Sequence, residues 1–239
     1  MFSIYKRELK SFFCGYRGYA FTALFVLLTF AIRMVYNYMA LYDSIYGFIN
    51  HESVLAFLPA AFAIAAPILT FSIYENERKK DVFAFLRSLP LKATDIIFGK
   101  YLAALTVFAC VYAVTLAVDL ILGFYSGSAV LSVLLSIFGF ILICNAILAL
   151  DTFLAAVCKN KYLALGLSYG ISAALVVLTV FRYSLPKILN DVITPFAVFG
   201  GYTSFVFGLL DLSPLVIWIS VGGLFVYLTY LVMKKEIRL

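Results

Sequence analysis

Side chains that could do chemistry are few in this sequence. His51 is the only histidine, it stands beside Glu52, and no Cys-x-x-Cys occurs among the four cysteines, so a His-based zinc set cannot be assembled. His51 reads as a solvated loop residue. Gly99-Lys100 approaches the phosphate-cradling pattern Gly-x-x-x-x-Gly-Lys-Ser/Thr, but position 94 is Thr and position 101 is Tyr, so no nucleotide site is encoded. Three ionisable residues then remain inside long apolar runs: Arg33, Asp119 and Asp151. Charge at such depth is costly, and by default it faces a partner, a cavity or water, which makes these three the candidates for a pathway or gating role. The competing reading is that each snorkels to the nearest interface, which is easiest for Asp119 at the outer end of its run. Arg33 and Asp151 are the better functional candidates.

The elements that must carry these residues are apolar helices. A composition of 65% hydrophobic and 13% charged residues is too apolar for a soluble domain with a polar shell. Six stretches meet the requirement of about 20 predominantly apolar residues for a membrane span. They lie near Tyr19 to Tyr38, Val54 to Ile73, Phe98 to Leu122, Val130 to Ala156, Tyr162 to Phe181 and Pro214 to Met233. The pieces between them are too short for a separate soluble domain, so residues 1–239 read as one all-α, polytopic membrane domain.

Charge orients that bundle. Of the 18 Lys and Arg residues, 15 fall in patches around residues 6–17, 78–100, 159–161 and 234–238, which leaves Arg33, Arg182 and Lys187. Basic residues flanking spans are retained in the cytoplasm, so the split predicts an even number of spans with both termini inside, in the cell (inner or cytoplasmic) membrane. The net charge of +6 therefore addresses anionic lipid and a docked partner, not nucleic acid. The first apolar run follows a charged helix without a cleavage site, so the N-terminus reads as mature protein. Cys110 and Cys144 fall inside spans and Cys14 and Cys158 at cytoplasmic ends, so no disulfide is expected.

Three of the remaining pieces are more than loops. Within residues 1–17, Phe2, Tyr5, Leu9, Phe12 and Tyr16 recur at helical spacing opposite Lys6, Arg7 and Lys10, which predicts an amphipathic surface helix. The alternative is a plain extension of the first span. In residues 75–90, Val82, Phe85, Leu86 and Leu89 form a helical stripe that acidic residues precede and Pro90 ends, a short cytoplasmic helix placed to touch another protein. Adsorption to the bilayer is the other reading of that stripe. Residues 182–213 are external by topology yet rich in aromatics, with Pro195 and Gly200-Gly201, which predicts short broken helices dipping into the membrane. Gly166 and Gly170 give the fifth span a flat face for close helix packing, within one subunit or between two, with packing inside the subunit favoured.

Two families bear on these motifs. Glu75-Asn-Glu77-Arg78 is superficially similar to the motif of membrane-embedded prenyl-protein proteases, but adjacent glutamates and later histidines are missing. The order of Ile4-Tyr-Lys-Arg-Glu-Leu-Lys-Ser-Phe-Phe13, Glu77-Arg78, Leu86, Ser88-Leu89-Pro90 and Gly99-Lys100 resembles the permease subunits of type 2, six-helix ABC exporters. Asn76 stands where that family usually has a second acid, and Asp81-Val82 where Gly-Thr is common. Pro195-Phe196, Phe199, Phe205, Gly208, Asp211 and Ser213 leading to Phe225-Val-Tyr-Leu-Thr229 resemble the small permeases of gliding motility and copper-enzyme maturation.

The resemblance implies a transport subunit, not an enzyme. Two such subunits, identical or paralogous, would pair above two copies of a separate cytoplasmic ATPase that binds the ATP and Mg, with no cofactor in this chain. Coupling would pass through Glu77, Arg78, Val82, Phe85, Leu86 and Leu89, assisted by the N-terminal helix. The cargo expected from the many aromatics and few internal charges is amphipathic or apolar. A proton-coupled secondary transporter using Asp119 or Asp151, and a non-transporting membrane scaffold, are the competing classes. The sequence lacks the repeated halves common in secondary transporters.

Overall fold

A computed structural model describes residues 2–42, 51–71, 73–74, 93–126, 130–158, 160–181, 199 and 201–238. Its helices are α1 (Phe2–Cys14), α2 (Tyr16–Tyr42), α3 (His51–Ala56), α4 (Leu58–Thr70), α5 (Ala93–Ser126), α6 (Val130–Val157), α7 (Lys161–Phe181), α8 (Tyr202–Val206) and α9 (Leu212–Arg238). Among the described residues there is no strand. Five helices, α2, α5, α6, α7 and α9, are long and apolar enough to cross a membrane. The sixth apolar stretch, Val54–Thr70, is shorter, about 25 Å at 1.5 Å per residue. It is divided at Phe57, after which Pro59 opens α4 in the first turn, where a missing N–H costs nothing. Pro67 lies inside α4 and removes one internal hydrogen bond there.

Central to the bundle is α6, which touches α4, α5, α7, α8 and α9 and packs most extensively along α9. Hydroxyls that would be stranded in an apolar interior bond back to their own helix. Thr29 donates to the Val26 carbonyl, Ser136 to Val133 and Thr152 to Ala149, each at 2.8 Å. The core is largely aromatic. Phe62 of α4 lies 4.6 Å, centroid to centroid, from Phe108 of α5, and Phe140 of α6 lies 4.6 Å from Tyr112. Phe25 and Tyr202 join the same cluster at 6.2 and 6.3 Å. Phe25, Phe62 and Phe140 are wholly buried, so these rings hold helices together. They are not free to contact cargo, and the cargo class therefore needs a different argument from the abundance of aromatics.

The N-terminal helix is distinct from the first span. The chain turns at Gly15, between α1 and α2, and a Cβ there would sit 2.6 Å from the Ser11 carbonyl oxygen. Gly18 is equally crowded, 2.5 Å from the Phe12 oxygen, so this turn requires both glycines. Ile4 and Phe12 are buried, Tyr5 and Leu9 pack against the core, and Lys6 and Arg7 are exposed. The expected stripe is thus correct at its centre, whereas Phe2 and Tyr16 at its two ends point outward.

In the segment before α9, the described part holds the short helix α8, one side of which is buried in protein, while Phe207, Leu209 and Leu210 after it are exposed. Phe199, Tyr202, Phe205 and Val206 are buried, and Gly208 turns the chain with φ of 77°. Phe205 lies against Gly139, where a Cβ would be 3.1 Å from its ring, and 5.4 Å from the Trp218 ring. Gly139 is about 14 Å along α6 from its first residue, so α8 reaches well into the bundle. Backbone at this depth is tolerated because it is helical and buried. Residues 182–198 lie outside the described residues.

Candidate functional site

Three features place charge or strong polarity inside the bundle. The first joins α2 to α5. Arg33 Nη2 forms an ion pair with Asp119 Oδ1, and the two side chains are 14% and 2% exposed. Beyond that pair the Asp119 carboxylate has no hydrogen-bond partner among the described residues. The pair is remote from the basic end: Arg33 is about 26 Å along α2 from Tyr16, and Asp119 about 30 Å along α5 from Gly99. Matching depth was the sequence signal for this pairing, and reading the two residues separately missed it. Neither snorkels alone.

The second feature is Asp151, in the last third of α6 and fully buried. Its carboxylate oxygens have no hydrogen bond of good geometry among the described residues, and Ser168 and Tyr169 of α7 are polar side chains close enough to interact with it. It is remote from the Arg33–Asp119 pair, so the three candidates form two separate loci. A buried carboxyl with so little support marks a place where burial opposes charge.

The third feature was not among the candidates. Lys100 is 1% exposed, and its Nζ donates to the backbone carbonyl of Ile73. It also stands 4.9 Å from the centroid of the buried Tyr74 ring. Ile73 and Tyr74 form the exit from α4, immediately before residues 75–92. A buried ammonium must keep its acceptors, so Lys100 fastens this exit to the base of α5. On the neighbouring residue, Gly99, a Cβ would meet Ile4 of α1 at 3.2 Å. Two elements thus converge on one turn of α5: the N-terminal helix and the exit from α4. Glu77, Arg78, Val82, Phe85, Leu86 and Leu89 lie outside the described residues.

Three further residues were singled out in the sequence. Gly166 and Gly170 have nothing among the described residues within 4 Å of an added Cβ, and both are exposed. Among the described residues no contact on that side of α7 shows the packing favoured for them inside the subunit, and the alternative of packing between two subunits stays open. His51 is the first residue of α3 rather than part of a loop, and its side chain lies outside the described residues.

A family model described as ABC-2 family transporter protein matches residues 10–176. The chain belongs to this family. The match runs from within α1 to within α7, and so takes in Arg33, Asp119, Asp151, Lys100 and residues 75–90, whereas α8 and α9 lie beyond it. No curated protein matches the chain. As an ABC-2 family member it is a multi-pass membrane permease subunit of an ABC transporter. Its buried charges and the Lys100 junction are therefore features of a transport component.

Proposed function

We propose that this permease exports an amphipathic or apolar cargo, driven by ATP that a separate cytoplasmic ATPase hydrolyses, and that two permease copies or paralogues pair to form the path. The observation that carries the reading is the Lys100 junction. A displacement of residues 75–90 by an ATPase beneath them enters the bundle at Ile73 and Tyr74, and Lys100 passes it at once to α5. Because α1 rests on the same turn, the N-terminal helix moves with it. ATPase closure then shifts the bundle between two states, and cargo moves because its affinity differs between them. Both termini and residues 75–90 are cytoplasmic in this reading, as the basic patches require.

The docking face is the stripe Val82, Phe85, Leu86 and Leu89, rimmed by Glu77, Arg78 and Lys80. Apolar anchors dominate such contacts and rim charges contribute less, so Phe85→Ala weakens ATPase association by about 2 kcal/mol, roughly thirtyfold, and Lys80→Ala by much less. Co-purification of the ATPase with each variant tests this. Equal retention by both variants would remove residues 75–90 as the docking element.

The proton-coupled alternative loses one of its two carboxylates, since Asp119 is engaged with Arg33. Asp151 alone remains for it. Transport into vesicles that follows an imposed pH gradient and ignores ATP would favour that alternative.

A further inference from the structure

On the side of the bundle where α5, α6 and α9 meet, a lateral cavity of about 570 Å³ opens between the helices. Its size falls in the range of roughly 300–1,000 Å³ that small-ligand sites occupy. Phe98, Ile97 and Val226 give it apolar walls, and Tyr101 and Asn145 add a polar floor. The Tyr101 hydroxyl lies 2.6 Å from Asn145 Oδ1 and 3.0 Å from the Asn145 backbone carbonyl, and shares its single proton between them. That contact fixes the amide with its oxygen occupied. Asn145 Nδ2 has no hydrogen-bond partner among the described residues, and its two N–H groups are available at the cavity floor.

Two glycines keep the space open. Gly222 and Gly223 line the cavity in the middle of α9. At Gly222 an added Cβ would sit 3.2 Å from Asn145 Nδ2, so any side chain there covers the amide. At Gly223 nothing among the described residues lies within 4 Å of an added Cβ. Adjacent glycines weaken a helix interior relative to alanine, and at this place they leave the space beside Asn145 unfilled. The cavity mouth is flanked by Phe98, Ile219 and Tyr227, each more than two fifths exposed on spanning helices. An occupant therefore enters sideways from hydrocarbon, not from water.

We infer that this cavity binds a bilayer lipid, seating one acyl chain between α5 and α9 with the chain's ester or amide carbonyl on Asn145 Nδ2. The chemistry fits in three respects. The walls suit a hydrocarbon chain, the Asn145 amide supplies N–H donors for a carbonyl beside the hydroxyls of Thr94, Tyr101, Tyr227 and Tyr230, and access is from the membrane. The volume accommodates one small ligand or chain, whereas a helix of a second copy would need a long continuous face. Tyr101 is a positioning residue, since it orients the amide and leaves the donors to the ligand. The cavity lies toward the basic end, because Tyr101 is about 12 Å along α5 from Ala93 and Asn145 about 18 Å along α6 from Val157. That position makes it the loading site for an amphipathic cargo leaving the same leaflet, a role that rests on the function proposed above.

The test uses the full chain in nanodiscs with a phosphatidylcholine bearing a photoreactive diazirine on one acyl chain, and maps the labelled residues. The expected labelling concentrates on residues 97–101 and 219–230. Gly223→Leu fills the cavity without a clash, and it lowers labelling about tenfold while the melting temperature holds. Asn145→Leu lowers it as well, and a chain-matched alkane probe without a carbonyl labels weakly in the wild type. Uniform labelling that includes the lipid-facing Val114 and Leu131, or unchanged labelling in Gly223→Leu, overturns the site. So does spontaneous cross-linking of Gly223→Cys between two copies with no photolabelling, because the cavity is then an interface. Labelling needs no ATPase. If the site labels as expected and ATP-dependent transport is unaffected by Gly223→Leu, the lipid site stands and its role as the loading site fails.

Discussion

Replacing Arg33 by leucine removes the one described ionic partner of a carboxylate that is only 2% exposed. Breaking a buried pair by deleting one partner costs about 3–5 kcal/mol, because the remaining charge is left uncompensated. Replacing both partners by apolar residues is far milder, since no charge remains to be buried. At roughly 2–4 °C per kcal/mol for a chain of this size, Arg33→Leu lowers the melting temperature by roughly 6–20 °C. Arg33→Leu with Asp119→Leu recovers most of that loss. The assay is thermal unfolding of the purified subunit in nanodiscs, arranged as a double-mutant cycle with Asp119→Leu as the fourth corner. A coupling energy under about 0.5 kcal/mol, or a double variant as unstable as Arg33→Leu, refutes the buried pair. It would return Arg33 to an independent interfacial position.

Other outcomes follow from single contacts. Gly139→Leu drives a side chain into the Phe205 ring and destabilises the fold by about 1–3 kcal/mol, read in the same melting assay. Gly166→Leu and Gly170→Leu meet no described atom within the subunit, so each leaves the melting temperature of the isolated subunit unchanged. A drop in either variant would show a contact on that face of α7. Single cysteines at Ser44 and Ser184, in a cysteine-free background, label from outside intact cells, and one at Ser88 does not; the reverse pattern would invert the orientation.

Much of this architecture was legible because spans announce themselves by length. The run from Val130 to Ala156 became α6 within a residue, since an apolar stretch of that length has one stable form in hydrocarbon. The second span was less legible. Its apolar composition was plain, yet Phe57 and Pro59 divide it and leave the helix short. The short helix α8 was foreseeable from Gly200-Gly201 amid aromatics, since flexible backbone with buried side chains cannot stay in water. Tertiary partners were not foreseeable. Arg33 and Asp119 are 86 positions apart, and only their equal depth links them. Lys100 was still harder, because its partner is the carbonyl of Ile73, and a backbone acceptor leaves no trace in residue type. Gly166 and Gly170 stayed ambiguous because small residues mark a smooth surface without saying what covers it. The abundant rings of Phe62, Phe108 and Phe140 carried two meanings in the sequence, and their mutual contact inside the core decides for packing.

If ATPase-driven motion of residues 75–90 enters the bundle through Lys100, as proposed, that side chain is the place to break the coupling. Lys100→Met keeps the length and apolar stem of the side chain but loses the donor to Ile73 and the cation over Tyr74. The decisive measurement is ATP-dependent cargo accumulation in inverted membrane vesicles, with bound ATPase quantified in the same preparation. The account predicts that Lys100→Met retains the ATPase and loses most of its transport. Transport at the wild-type rate with the ATPase bound would contradict it.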